Sequence, residues 1–149
     1  LRRPVIGVRI RYTDMKVPLD KYVAAIVDLR RRLPDAPIFL ATDHAEPQAL
    51  IRSHFDNVVE VEKIVATDDA GLHRPDQRGG ARFDNARHEA ENALIDMWAL
   101  SRCDWLVHAR RSTFSVLAAQ LGGIAPERQV DIDRLNVIEN AKNWLYARI

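Results

Sequence analysis

Val5-Ile6-Gly7-Val8-Arg9-Ile10-Arg11-Tyr12-Thr13-Asp14 is the stretch whose reading decides the fold. A short apolar run of this kind suits a buried strand. Its far end carries two arginines one residue apart, then a Thr-Asp pair. Residues i and i+2 of a strand point the same way, so Arg9 and Arg11 share one face if the strand persists through both. In open α/β sheets ligands bind at the carboxyl ends of the strands. The planar donor fork of a guanidinium fits a phosphate or diphosphate placed there. The same residues also read as an edge strand with solvated charges.

Outward from this stretch the chain alternates. Pro18 to Arg32 reads as a helix, with Pro18 in its first turn and Leu19, Tyr22, Val23, Ile26, Val27 and Leu29 at helical spacing. Arg30, Arg31 and Arg32 fall in the last turn, where cations complement the helix dipole. Leu33 to Pro37 is a turn. Ile38-Phe39-Leu40-Ala41-Thr42 is a second strand, with Asp43-His44 just past its end. Glu46 to Phe55 reads as a helix and Val58 to Val61 as a third strand. Strand, helix, strand, helix, strand implies a parallel sheet covered by helices.

Ala66 to Ala86 interrupts the alternation. It is polar, contains Gly79-Gly80, and reads as a functional loop or a disordered linker. Ala86 to Ser101 then reads as a helix with the apolar stripe Ala90, Ala93, Leu94, Met97 and Leu100. Asp96 sits near that stripe, where a carboxylate is costly unless paired; the plainer reading puts it at the stripe's edge. Trp105 to His108 is a fourth strand. Arg110-Arg111-Ser112-Thr113 then opens the apolar helix that ends at Gly122-Gly123. Ser112 or Thr113 fits that helix's cap, and the same amides fit a phosphate. Gln129 to Ile132 reads as a last strand, followed by a helix from Asn136 and a tail with Trp144, Leu145 and Tyr146.

Composition bounds the function. The chain has 149 residues, 47% of them apolar and 29% charged, with net charge +1. These are values of an ordinary globular domain, so residues 1–149 are expected to form one domain. Global charge does not point to nucleic acid or a membrane surface. Residues 1 to 33 nevertheless hold nine Arg or Lys against three Asp or Glu, which favours an anionic ligand near the opening stretch. The lone Cys103 allows no internal disulfide and reads as buried packing rather than a nucleophile. There is no membrane-length apolar run, and the start lacks both a signal peptide and an initiator Met. The expectation is a cytoplasmic location and an excised part of a longer protein. No G-x-G-x-x-G or G-x-x-x-x-G-K-[ST] fingerprint and no zinc spacing occurs, so no cofactor or metal is expected. His44 beside Asp43 reads as a general base or as incidental. Asp68-Asp69 reads as a weak cation site or as solvated loop charge.

The order of these pieces carries a resemblance. Val8-Arg9-Ile10-Arg11-Tyr12-Thr13-Asp14, the helix opened by Pro18, Ile38 to Asp43, Ala93-Leu94-Ile95-Asp96-Met97, Cys103-Asp104-Trp105-Leu106-Val107 and Ser112-Thr113-Phe114 follow one another. From Val5 to Ile132 the chain resembles the donor-binding half of the α1,6-fucosyltransferase family, which includes nodulation fucosyltransferases and is related to protein O-fucosyltransferases. The resemblance implies a Rossmann-like α/β domain with helices on both faces of a parallel sheet. Such a domain would be the C-terminal half of a two-domain glycosyltransferase of the B type. It further implies an inverting, metal-independent enzyme with GDP-fucose or another GDP-sugar as donor, a glycan or protein acceptor, and an N-terminal domain not contained in this sequence.

By resemblance Arg11 holds the β-phosphate of GDP and carries the catalytic role. Ser112 contacts the same phosphate beside Thr113, Asp96 recognises guanine, and Asp43 lines the nucleotide site with Arg9 and Tyr12. A carboxylate accepts from the ring NH and amino group of guanine together. Three departures stand out. Arg9 occupies the family's His position, Tyr12 replaces the second of paired arginines, and only Met15-Lys16-Val17 separates Asp14 from Pro18, where core fucosyltransferases carry an insertion. The alternative is a nucleotide- or anion-binding module, or an inactive relative without transfer. A purely structural α/β domain is the third reading.

Overall fold

The computed structural model describes residues 2–63, 65–67 and 83–147, with the backbone alone at 83–85, 136, 139 and 143. Five parallel strands form one sheet in the order β3-β2-β1-β4-β5. The strands are β1 (Ile6–Ile10), β2 (Ile38–Thr42), β3 (Val58–Val59), β4 (Trp105–His108) and β5 (Gln129–Asp131). The helices are α1 (Leu19–Arg32), α2 (Ala45–His54), α3 (Phe83–Ser101), α4 (Thr113–Gly122) and α5 (Ile132–Tyr146), with a 3-10 turn at Pro126–Arg128. The α/β alternation expected from the sequence is the one found.

β1 lies at the centre, pairing with β2 from Ile6↔Ile38 to Ile10↔Thr42 and with β4 from Ile6↔Trp105 to Val8↔Val107. The chain moves from β1 through β2 to β3 on one side, then crosses to β4 and β5 on the other. The switch point therefore lies between the carboxyl ends of β1 and β4, where open α/β sheets bind ligands. Strand alternation sorts the two faces. Ile6, Val8 and Ile10 pack with Ile38, Leu40, Tyr22, Ile26, Leu29, Ile51 and Ile132, so α1, α2 and the start of α5 cover one face. Phe39, Ala41 and Leu106 pack with Met97, Leu100, Phe114, Ala118 and Ala119, so α3 and α4 cover the other. Gly7 points to this second side, where a Cβ would stand 3.0 Å from both Cβ and Sγ of Cys103. Cys103 is buried, and burial pushes its thiol up to about 12, so it packs as an apolar group.

Boundaries moved by one residue in α1, α2 and β5, and with more consequence in four other places. β1 ends at Ile10 rather than running through Arg11. β3 is two residues long, not four. α3 starts at Phe83, three residues before the expected Ala86. α5 starts at Ile132 rather than Asn136, because Asp131 Oδ1 accepts the Asp133 amide at 3.0 Å and caps it. The expected loop is described at its end as the first turn of α3 and at its start, where Ala66 donates to Asp43 O and accepts from Ala45, both at 2.9 Å. Gly79-Gly80 and Asp68-Asp69 lie outside the described residues. No helix among the described residues is long and apolar enough to cross a membrane.

Candidate functional site

Arg9 points from β1 into the side covered by α3 and α4, as alternation with Gly7 requires. Its Nη1 donates to Ala41 O at 3.2 Å, its Nη2 lies 4.0 Å from Asp43 Oδ2, and its guanidinium stacks 4.7 Å over the Phe114 ring. Its backbone carbonyl accepts from the buried Tyr22 hydroxyl at 2.9 Å. Burial pulls the Arg9 pKa down against the pull of Asp43 and Asp96. Arg9 is thus built into the end of the sheet, with Ala41 O and Asp43 at its Nη atoms and Phe114 over its guanidinium.

Arg11 behaves differently. Past the end of β1 the backbone bends, and Arg11 turns to Asp14: Nε donates to Oδ1 at 2.7 Å and Nη2 pairs with Oδ2. The Asp14 hydrogen bond raises the Arg11 pKa. The two arginines therefore do not form an equivalent pair on one strand face. Tyr12 joins the network through its backbone, whose amide donates to Asp43 Oδ1 at 2.8 Å. Its hydroxyl contacts Glu46 Oε1 at 3.1 Å and its ring meets His44 edge-on. His44 itself caps α2, with Nδ1 accepting the Glu46 amide at 3.0 Å. The capping bond accounts for His44 without a catalytic role.

Asp96 is not at the edge of a stripe. It is 2% exposed, on the inner face of α3 with Asn92 and Leu100, whereas Leu94 of the expected stripe is 66% exposed. Lys63 pairs with its Oδ2, while Oδ1 is buried with no partner among the described residues. Burial raises the Asp96 pKa, and Lys63 and Arg9 oppose that rise. Ser112 occupies the N-cap position of α4 with extended backbone, yet its side chain makes no capping bond. Its Oγ is also buried without a partner among the described residues, as is Nε of Arg9. Thr113 is the exposed first residue of the helix. The first amides of any helix lack an intrahelical acceptor and carry the positive end of its dipole.

The expected residues Arg9, Tyr12 and Asp43 therefore form one bonded cluster. Asp96 faces Arg9 from α3, and Ser112 and Thr113 stand at the start of α4. Arg11 is held beside them by Asp14. Two residues escaped the sequence reading. Phe114 was visible in the turn, and its position beside Ser112 was the available signal. Lys63 had only an indirect one: a carboxylate in an apolar helix needs a cation, and the sequence does not say which. No group of three metal-ligating side chains occurs among the described residues.

No protein-family model and no curated protein matches the chain. Solved structures do match over 79% of it. The NodZ alpha-1,6-fucosyltransferase co-crystallised with GDP is similar at TM-score 0.53 and 21% identity, with 35% of that chain covered. The same enzyme soaked with GDP-fucose gives 0.53 and 22%, over 36% of its chain. Fucosyltransferase NodZ from Bradyrhizobium gives 0.51 and 22%, over 35% of its chain. The chain spans about a third of the length of these structures. What it shares with that third is the Rossmann-like α/β fold, in a sheet whose switch point carries Arg9, Asp96 and Ser112.

Proposed function

We propose that this chain is the GDP-sugar-binding domain of an inverting, metal-independent fucosyltransferase-like glycosyltransferase, corresponding to the C-terminal half of a two-domain B-type enzyme. Besides Arg30 Nε at the end of α1, the buried side-chain polar atoms without partners among the described residues are three, and they carry the reading: Arg9 Nε, Asp96 Oδ1 and Ser112 Oγ. They come from β1, α3 and the start of α4, around the switch point. Buried polar groups in native proteins are satisfied almost without exception, so such a group calls for a ligand. Their chemistry matches a nucleoside diphosphate: a carboxylate acceptor for base N–H donors, and a hydroxyl with cationic donors for phosphate oxygens.

In this reading Asp96 accepts from guanine. Arg11, the Ser112 hydroxyl and the α4 amides surround the β-phosphate. As the bond to the sugar breaks, charge grows on that phosphate, and the Arg11 guanidinium and helix dipole stabilise it. An acceptor hydroxyl attacks from the opposite side, inverting the anomeric carbon. The engagement of Arg11 by Asp14 favours a second reading, a nucleotide-binding module without transfer, in which that pair stays closed.

Calorimetric titration with GDP, GMP, GDP-fucose, ADP and UDP tests both. GDP is expected to bind in preference to ADP and UDP. Arg11→Ala is expected to weaken GDP about tenfold or more while sparing GMP, because a charged hydrogen bond to the terminal phosphate contributes about 1.5–3 kcal/mol. A folded protein that binds no GDP refutes the proposal. GDP binding without fucose transfer by the full-length protein selects the second reading.

A further inference from the structure

Lys63 belongs to no expected motif, yet it is held where the site is most sensitive. It lies in the segment after β3, its side chain is 14% exposed, and its ammonium engages Oδ2 of Asp96. The charged groups facing Asp96 are Lys63 and Glu60 from that segment and Arg9 from β1. Arg9 is itself shared with Asp43 at the end of β2. Glu60 is committed to Arg52 and to Gln48, whose Nε2 donates to it at 3.0 Å. Lys63 is thus the one cation bonded directly to the Asp96 carboxylate among the described residues.

We propose that Lys63 is a positioning residue of this site: by occupying Oδ2 it keeps Asp96 ionised and leaves Oδ1 as an acceptor for a donor on the bound base. The inference rests on the reading of Asp96 as the base-recognising group. The protonation state matters because a neutral carboxyl places a hydrogen on one oxygen and turns an acceptor into a donor. A base edge presenting N–H groups then meets a donor of its own kind. Burial pushes the Asp96 carboxyl toward that neutral form, and Lys63 is the first influence opposing it. Removing the ammonium while keeping the length of the side chain should let the carboxyl take up a proton in the range where the protein works.

The test is a GDP titration of wild type, Lys63→Met and Lys63→Arg over a pH series running from neutral into the acid range, where a carboxyl takes up its proton. Titration of the nucleotide phosphate is common to all three proteins, so the ratio of variant to wild-type affinity isolates what the substitution changes. For Lys63→Met that ratio should fall about tenfold per pH unit on the acid side of the raised carboxyl pKa, since one proton competes with the ligand. Lys63→Arg should hold the ratio near one across the range. A Lys63→Met ratio flat with pH overturns the proposal. A carbon-13 titration of the Asp96 carboxyl, assigned with Asp96→Asn, provides a readout on wild type alone. It should show an ionised group at neutral pH, and a protonated one overturns the proposal even if Lys63→Met fails to fold. Absence of GDP binding by folded wild type would instead sink the nucleotide reading, and the carboxyl titration compared between wild type and Lys63→Met would still decide whether Lys63 keeps Asp96 ionised.

Discussion

Replacing Asp96 by Asn separates a binding carboxylate from a structural one. The shapes are nearly identical, so packing on α3 is preserved. Two opposing terms set the stability change. Lys63 loses a charged partner, and breaking a buried pair costs about 3–5 kcal/mol when the remaining charge stays buried. Lys63, however, sits on a connecting segment and retains access to water, so its ammonium can turn outward and recover hydration. In the other direction, the buried carboxylate itself is unfavourable: its raised pKa means the folded state binds the proton more tightly than the unfolded chain. By linkage its contribution to stability then declines as pH rises from the ordinary carboxylate range through the raised value. Asn has no such decline, so the stability of the variant relative to wild type should improve with pH across that window. The net change at neutral pH is expected to be a loss smaller than the about 3–5 kcal/mol of a pair whose remaining charge stays buried, because the Lys63 ammonium regains water. Binding should respond far more. Asp96 offers charge-assisted acceptance to the base, worth about 1.5–3 kcal/mol, or about 10- to 150-fold in affinity. Urea denaturation at several pH values and GDP calorimetry on the same protein measure both quantities. A loss of about 3 kcal/mol or more in stability with GDP affinity intact would refute the reasoning and make Asp96 a counterion of Lys63 alone.

Three further outcomes are expected. Gly122→Ala should destabilise the fold by about 1–3 kcal/mol, because its Cβ would stand 2.0 Å from the Ser101 carbonyl oxygen where α4 packs against α3, a backbone contact that cannot rotate away; an unchanged urea midpoint would contradict this packing. Ser112→Ala should leave stability nearly unchanged, since the hydroxyl makes no capping bond, while weakening GDP by about 1 kcal/mol through one lost hydrogen bond; a thermal shift typical of a lost cap, with binding unaltered, would assign Ser112 to the helix. His108 is buried between Ser115 Oγ at 2.9 Å and Gln129 Oε1 at 3.1 Å, and burial lowers its pKa. The unfolded chain therefore takes up the proton first, and stability falls as pH drops from about 6.5 through the lower folded value. His108→Gln should flatten that acid limb of the denaturation midpoint, and an identical limb in both proteins would remove His108 from it.

The strand-helix alternation was legible because each element has its own period. Ile6, Val8 and Ile10 repeat at two, while Tyr22, Ile26 and Leu29 repeat at three and four, and all six are fully buried. Element ends were harder. The start of α5 depended on Asp131 turning its carboxylate back to the Asp133 amide, a contact of one side chain that leaves no periodic trace. The site was legible in part. Arg9, Asp43 and Ser112 lie at the ends of three strands or at the turns that follow them, and a parallel sheet gathers such ends by construction. Which arginine faces inward was not legible, because it turned on one residue of strand length. β1 stops at Ile10, and Arg11 passes to Asp14 instead of repeating the direction of Arg9.

α3 shows why the remaining part was hidden. Its apolar spacing puts Leu94 on the inward stripe with Met97 and Leu100, but Leu94 is exposed, and Asn92 and Asp96 are buried beside Leu100. Leu94, Ile95 and Trp98 stand in the exposed set instead. A helix oriented by apolar burial alone would rotate those side chains toward the sheet. Its last turn does obey that rule, since Leu100 packs under the sheet with Leu106 and Ala118. One turn earlier, Asp96 displaces the stripe, drawn inward by Lys63 and Arg9. The orientation of the helix is thus set at its carboxyl end by the core and at Asp96 by charges that arrive from two other parts of the chain. Hydrophobic periodicity sees only the first of these. The disagreement between stripe and burial therefore singles out Asp96 as the residue to test: on the function proposed above, a buried carboxylate is kept for binding at a cost in stability that a packing residue would not carry.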